Sequence, residues 1–120
     1  MNVPTNLKYT SEHEWIRVEG DIAYVGITDY AQNEMGDIVY VDMPEVGRVV
    51  AIDEEVLELE SVKAVAPVNS PVAGTVIEVN EELDGAPEMV NSDAYDAWLF
   101  KVEVTEESGE LMSEEEYQNY

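Results

Sequence analysis

Lys63 is the only basic residue between Arg48 and Lys101, and it stands in a stretch dense with carboxylates. On one side runs Val56-Leu57-Glu58-Leu59-Glu60-Ser61-Val62, on the other Ala64-Val65-Ala66-Pro67-Val68, each with the alternation of a strand. A lysine between two such segments lies at a hairpin tip. A lone lysine is most often a solvated surface residue, so its setting must decide what else it can do. Schiff-base chemistry needs a lowered amine pKa, obtained by desolvation or a cationic neighbour. Glu58 and Glu60 do the opposite, because nearby carboxylates favour the ammonium. Acylation by a separate ligase needs no such tuning, since the incoming carboxylate arrives activated. It needs only an exposed amine on a tightly defined turn, and a hairpin tip provides that.

Other chemistries have fewer candidates. The chain has no cysteine, which excludes disulfides, thiolate nucleophiles and Cys-based metal sites, and one histidine, His13, which leaves no His cluster. His13 and Trp15 read as structural. The acidic runs over residues 53–60 and 103–116 lack the alternating Asp/Asn loop with glycine that calcium binding requires, so they read as solvated faces. No metal site and no catalytic residue is expected.

The charge balance, 28 acidic against 5 basic residues and a formal net charge of -23, makes nucleic acid and anionic membranes poor partners. Disorder is not implied, because 45% of the residues are hydrophobic and they alternate as strands do. A coat so rich in Asp and Glu and so poor in Lys is what a cytosol at very high salt would select, since salt screens the self-repulsion. A halophilic source is therefore expected. No apolar run approaches the ~20 residues of a membrane span. Met1-Asn2-Val3-Pro4 lack the layout of a signal peptide, so a cytoplasmic location is expected.

The elements that must hold Lys63 are short. At 120 residues one domain, 1–120, is expected. Residues 14–18 and 22–27 form a hairpin through Glu19-Gly20-Asp21. Thr28 is placed to cap a short helix over 29–35, with Gly36 just beyond its end. Further strands are predicted at 38–41, 48–52, 56–62, 64–68, 72–79 and 98–104. Ser113 with Glu116 forms a capping box that opens a short C-terminal helix. Many short strands with frequent turns mean a mostly β domain.

The run Glu60-Ser61-Val62-Lys63-Ala64, followed by Asn69-Ser70-Pro71-Val72-Ala73-Gly74, resembles the lipoylation hairpin of glycine cleavage H proteins. The resemblance extends to His13-Glu14-Trp15, to Val25-Gly26-Ile27-Thr28-Asp29-Tyr30-Ala31-Gln32, to Gly36-Asp37-Ile38-Val39, and to Val90-Asn91, Trp98-Leu99 and Glu116-Tyr117. Essentially the whole chain is covered. A biotinyl domain is similar, but its lysine usually sits between methionines, whereas Lys63 lies between Val62 and Ala64.

The resemblance implies a barrel-sandwich hybrid of the lipoyl/biotinyl-carrier type, two small sheets with the lipoyl lysine on an exposed hairpin. It implies lipoate in amide linkage to Lys63, with Glu60, Ser61, Val62 and Ala64 as the hairpin that a lipoate ligase or octanoyltransferase reads. A glycine decarboxylase, the P protein, would load an aminomethyl group onto the arm. The aminomethyltransferase, the T protein, would unload it, and the dihydrolipoyl dehydrogenase, the L protein, would reoxidise the arm. The tether raises the effective concentration of one dithiol at three active sites. The resemblance also implies a surface cleft that shelters the loaded arm, in which Glu14 matches a family position. Glu12 stands where serine is often found, and Pro67 where aspartate is common. The segment Asp93-Ala94-Tyr95-Asp96-Ala97-Trp98 is one residue shorter than the family's loop and lacks its glycine. Three other roles for the chain remain: a relay passing lipoyl groups to other lipoyl domains, an enzyme, which the missing Cys and acidic setting of Lys63 oppose, and an unmodified interaction module.

Overall fold

A computed structural model describes residues 3–120; Met1 and Asn2, part of the segment read above for a leader, lie outside the described residues. Among the described residues nine strands form two sheets of unequal size. The larger contains β1 (Lys8–Tyr9), β2 (Glu14–Glu19), β3 (Ile22–Ile27), β5 (Val49–Val50), β8 (Val72–Val79) and β9 (Phe100–Glu107), in the order β1-β2-β3-β9-β8-β5. The smaller contains β4 (Ile38–Asp42), β6 (Glu55–Ser61) and β7 (Val65–Asn69), in the order β4-β6-β7. All the pairings are antiparallel.

Alternation puts one face of each strand inward. Ile16, Val25, Leu59, Val68, Val76 and Val102 come from both sheets and meet in one buried cluster, while Glu58, Glu60 and Glu103 on the same strands face water. A second buried cluster of Leu7, Tyr9, Trp15 and Tyr117 ties the N-terminal strand to the C-terminal helix. Trp15 pairs across the hairpin with Gly26, and a Cβ built on Gly26 would stand 2.5 Å from the indole. Glycine is there because the ring occupies the space a methyl would need. The indole N–H donates to the carbonyl of Ala94 at 3.0 Å, which anchors the loop before Trp98.

The expected helix is α1 (Asp29–Met35), and the Thr28 hydroxyl accepts from the Ala31 N–H at 3.3 Å. The expected terminal helix is α4 (Glu114–Gln118), with both bonds of the Ser113–Glu116 capping box present. Four details differ from the sequence reading. β1 had no alternation long enough to reveal it. The strand placed at 48–52 shrinks to Val49–Val50, because Ala51 and Glu54 close a turn in which the Glu54 carboxylate accepts from the Ala51 N–H. The strand placed at 98–104 begins at Phe100 and runs on to Glu107. Between β8 and β9 lie two single-turn helices, α2 (Glu82–Gly85) and α3 (Met89–Ser92), where no element was expected. Among the described residues no helix is long and apolar enough to cross a membrane.

Candidate functional site

β6 and β7 pair through Glu60 and Val65, so residues 61–64 make the turn and Lys63 is at its tip, exposed. One side chain sets the turn's shape. The Ser61 N–H donates to the Ala64 carbonyl at 2.8 Å, while the Ser61 hydroxyl oxygen accepts from the N–H groups of Lys63 at 3.2 Å and Ala64 at 3.0 Å. A serine that bonds backbone two and three residues ahead is a local turn device, and it fixes where the lysine leaves the chain. The Val62 N–H reaches outside the hairpin and donates to the Asp37 carbonyl at 3.0 Å, tying the tip to the segment that follows α1.

That segment is itself clamped. Gly36 ends α1 at a φ of 79°, a left-handed conformation that favours glycine. Asn91 in α3 donates through Nδ2 to the Gly36 carbonyl at 2.8 Å and to Gln32 Oε1 at 3.0 Å, and its Oδ1 accepts from the Ile38 N–H at 2.8 Å. The lysine stem runs over this clamp, since a Cβ built on Gly36 would lie 3.4 Å from Lys63 Cε. Among the described residues Lys63 Nζ makes no hydrogen bond or ion pair, whereas Arg17, Arg48 and Lys101 are bound to Glu19, Glu54 and Glu78.

The two expected cleft acids do come together, at the far end of β7. Glu14, first residue of β2, is only 4% exposed, although a first residue at the end of a charged strand could equally have faced solvent. Its Oε1 accepts from the Thr10 hydroxyl at 2.7 Å and its Oε2 from the Asn69 N–H at 3.2 Å. Burial pushes its pKa up to about 7; the Thr10 and Asn69 hydrogen bonds oppose the rise, and Glu12 and Asp53 add to it. Exposed Glu12 accepts from Asn69 Nδ2 at 2.8 Å. Asn69 therefore donates to both acids, one through its backbone and one through its side chain. Glu12 and Glu14 also line a small cavity of about 30 Å³ with Thr10, Ser11 and Asp53.

Pro67 pairs with Glu58 on β7, the edge strand of the smaller sheet, where the lack of an N–H is tolerated and the edge is blunted against further pairing. Sequence reasoning assigned no role to Thr10, Asn69 or Asn91. Each is a single polar residue whose partners lie far along the chain or in a turn, and no periodicity marks such a residue.

Two antiparallel sheets, with an exposed lysine at the tip of the β6–β7 hairpin of the smaller one, are the architecture of a lipoyl/biotinyl-carrier-like domain. Residues 7–120 match the family model described as "Glycine cleavage H-protein". The glycine cleavage system H protein of Halothermothrix orenii is 54% identical over 123 residues, which cover 100% of this chain and 96% of that protein. That of Bacteroides thetaiotaomicron is 52% identical over 120 residues, covering 98% of this chain and 95% of that protein. The crystal structure of a glycine cleavage system H protein from Mycobacterium marinum superposes with a TM-score of 0.91 at 38% identity, over 98% of this chain and 97% of that one. The chain belongs to the glycine cleavage H-protein family. Its role is that of a non-catalytic lipoyl carrier, which shuttles the aminomethyl group of glycine.

Proposed function

We propose that Lys63 Nζ is the point at which lipoate is joined to this chain, as an amide. The observation that carries the proposal is the tip itself: an exposed amine without an ion pair among the described residues, on a turn held by Ser61 and moored to Asp37. Lipoate in that position supplies a dithiolane whose sulfurs accept and release an aminomethyl group. The chain's own contribution is presentation. Ser61 fixes the direction of the lysine, and Glu60, Val62 and Ala64 complete the surface that a lipoate ligase or octanoyltransferase would read. Val62 is 69% exposed and available for such contact.

Glu14 and Glu12 are proposed to hold the ammonium end of the loaded arm. A half-neutral buried carboxyl would ionise fully beside such a cation, and so strengthen the pairing when cargo is present. Pro67 contributes no carboxylate, so these two acids and Asn69 carry the protection. The proposed partners are the decarboxylase P protein, the aminomethyltransferase T protein and the dihydrolipoyl dehydrogenase L protein, and neither nucleic acid nor membrane. The proposed location is the cytoplasm, as one domain over 1–120. A halophilic source is proposed from the net charge of -23.

The test is the intact mass and peptide map of protein from its native host. A lipoyl or octanoyl amide at Lys63, absent from Lys63→Arg, is the expected result. Bare lysine in the native host, or normal glycine breakdown with Lys63→Arg, refutes the assignment.

A further inference from the structure

A cavity of about 460 Å³ lies between α1 and α4, lined by Val3, His13, Tyr30, Tyr117, Gln118 and Tyr120. It shares no lining residue with the Glu12–Glu14 cavity. Four of its six walls are aromatic. His13 is the hub, with ring centroids 4.5 Å from Tyr30, 5.6 Å from Tyr117 and 6.2 Å from Tyr120, the last two edge-on. The hub is fixed in place. His13 Nδ1 lies 2.7 Å from the Tyr117 hydroxyl, which is 2.8 Å from the Thr28 hydroxyl that caps α1.

The outer walls remain uncovered: Tyr30 is 40% and Tyr120 70% exposed. Beside them stands a carboxylate, since the Tyr30 hydroxyl donates to Glu34 Oε1 at 3.2 Å and Glu34 also acts electrostatically on His13. Burial lowers the His13 pKa, which outweighs the opposing pull of Glu34, and none of the six lining residues is a lysine or an arginine. Aromatic faces with an adjacent carboxylate attract a planar cation, because the ring quadrupole and the anion act together. On a surface with a net charge of -23, whatever docks productively presents positive charge.

We propose that this pocket receives an arginine side chain from a partner protein of the carrier, its guanidinium stacked against Tyr30 and Tyr120 and paired with Glu34. The identity of the partner as one of the enzymes served by the arm rests on the carrier reading above; the pocket's chemistry does not.

The test begins with the protein alone, titrated with N-acetyl-arginine methylamide at about 0.15 M salt, where long-range attraction is screened. Shifts of the Tyr30, Tyr117 and Tyr120 ring signals are expected. They should be lost in Tyr30→Leu and Glu34→Gln and absent with the neutral citrulline counterpart. Shifts spread over the acidic surface, or unchanged in Tyr30→Leu, overturn the pocket. The lysine counterpart acting as strongly overturns the guanidinium assignment. The second arm measures the lipoylated carrier as substrate of the P, T and L proteins. Tyr30→Leu and Tyr120→Leu should raise KM about fivefold for at least one of them with kcat kept. Unchanged KM for all three overturns the partner assignment. An unmodified Lys63 or inert wild-type carrier would strike the carrier reading and leave the titration result standing.

Discussion

Replacing Glu14 by glutamine should remove a pH dependence of folding that the wild-type protein carries. The group's pKa rises from an ordinary 4.5 to about 7 on folding. A carboxyl with a raised folded-state pKa stabilises fully below its unfolded pKa, because there the native state holds a proton without desolvating a charge. That contribution is lost as the pH rises through about 7. At about 1.4 kcal/mol per pKa unit the whole effect is about 3 kcal/mol, of which about 2 kcal/mol falls between about pH 5.5 and 8.5. That window also stays clear of the sequence pI of ≈ 4.1. Glutamine retains the hydrogen bonds, with its oxygen toward the Asn69 N–H and its amide toward the Thr10 hydroxyl, which can turn to accept. Urea unfolding of both proteins across the window is the assay. The repulsion among the other acids is common to both and cancels in the difference. Wild type should lose about 2 kcal/mol relative to Glu14→Gln from the low to the high end. A difference that stays flat, or slopes the other way, refutes the account of Glu14 as a desolvated acid.

Ser61→Ala should leave the fold intact, cost about 1 kcal/mol or less because the turn is exposed, and slow acylation of Lys63 several-fold in a ligase assay by loosening the turn. Gly26→Ala should destabilise by about 1–3 kcal/mol, since the added methyl meets the Trp15 indole; thermal unfolding would register it, and an unchanged midpoint would show that the ring can move aside. Stability should rise steeply with salt as the -23 net charge is screened; equal unfolding midpoints in dilute buffer and molar salt would remove the halophilic reading. Glu14→Gln should also shorten the life of the loaded arm, measured as release of its one-carbon unit; a lifetime equal to wild type would count against the cleft role.

The parts of the architecture visible in the sequence were those governed by local rules. Alternation located β2, β3, β6, β7 and β8 to within a residue at each end, and Thr28 and Ser113 announced their helices through capping. β1 and β5 are two residues each, too short for a period to register, and exist because longer neighbours offer them an edge. α2 and α3 are single turns that bury Leu83 and Val90 and pack against β4 and α1, respectively, and a single turn is too short for a helical period to register. The placing of Lys63 at a hairpin tip was legible because a cation among acids between two alternating segments stands out. The burial of Glu14 could not, since it depends on Asn69 arriving from 55 residues away. Asn91 was visible as a family residue and not as a clamp, because its bonds join three segments distant in the chain.

The mooring of Val62 to Asp37 has a consequence for how the carrier searches. With lipoate on Lys63 as proposed, the turn held at both ends makes the base of the boom a fixed pivot, and all its freedom lies beyond the lysine's Cβ. The volume swept is then set by the cofactor's length and not by the scaffold, and capture at a receiving site costs no ordering of backbone. Slackening the pivot with one inserted residue would enlarge the sweep while diluting the dithiol at every destination.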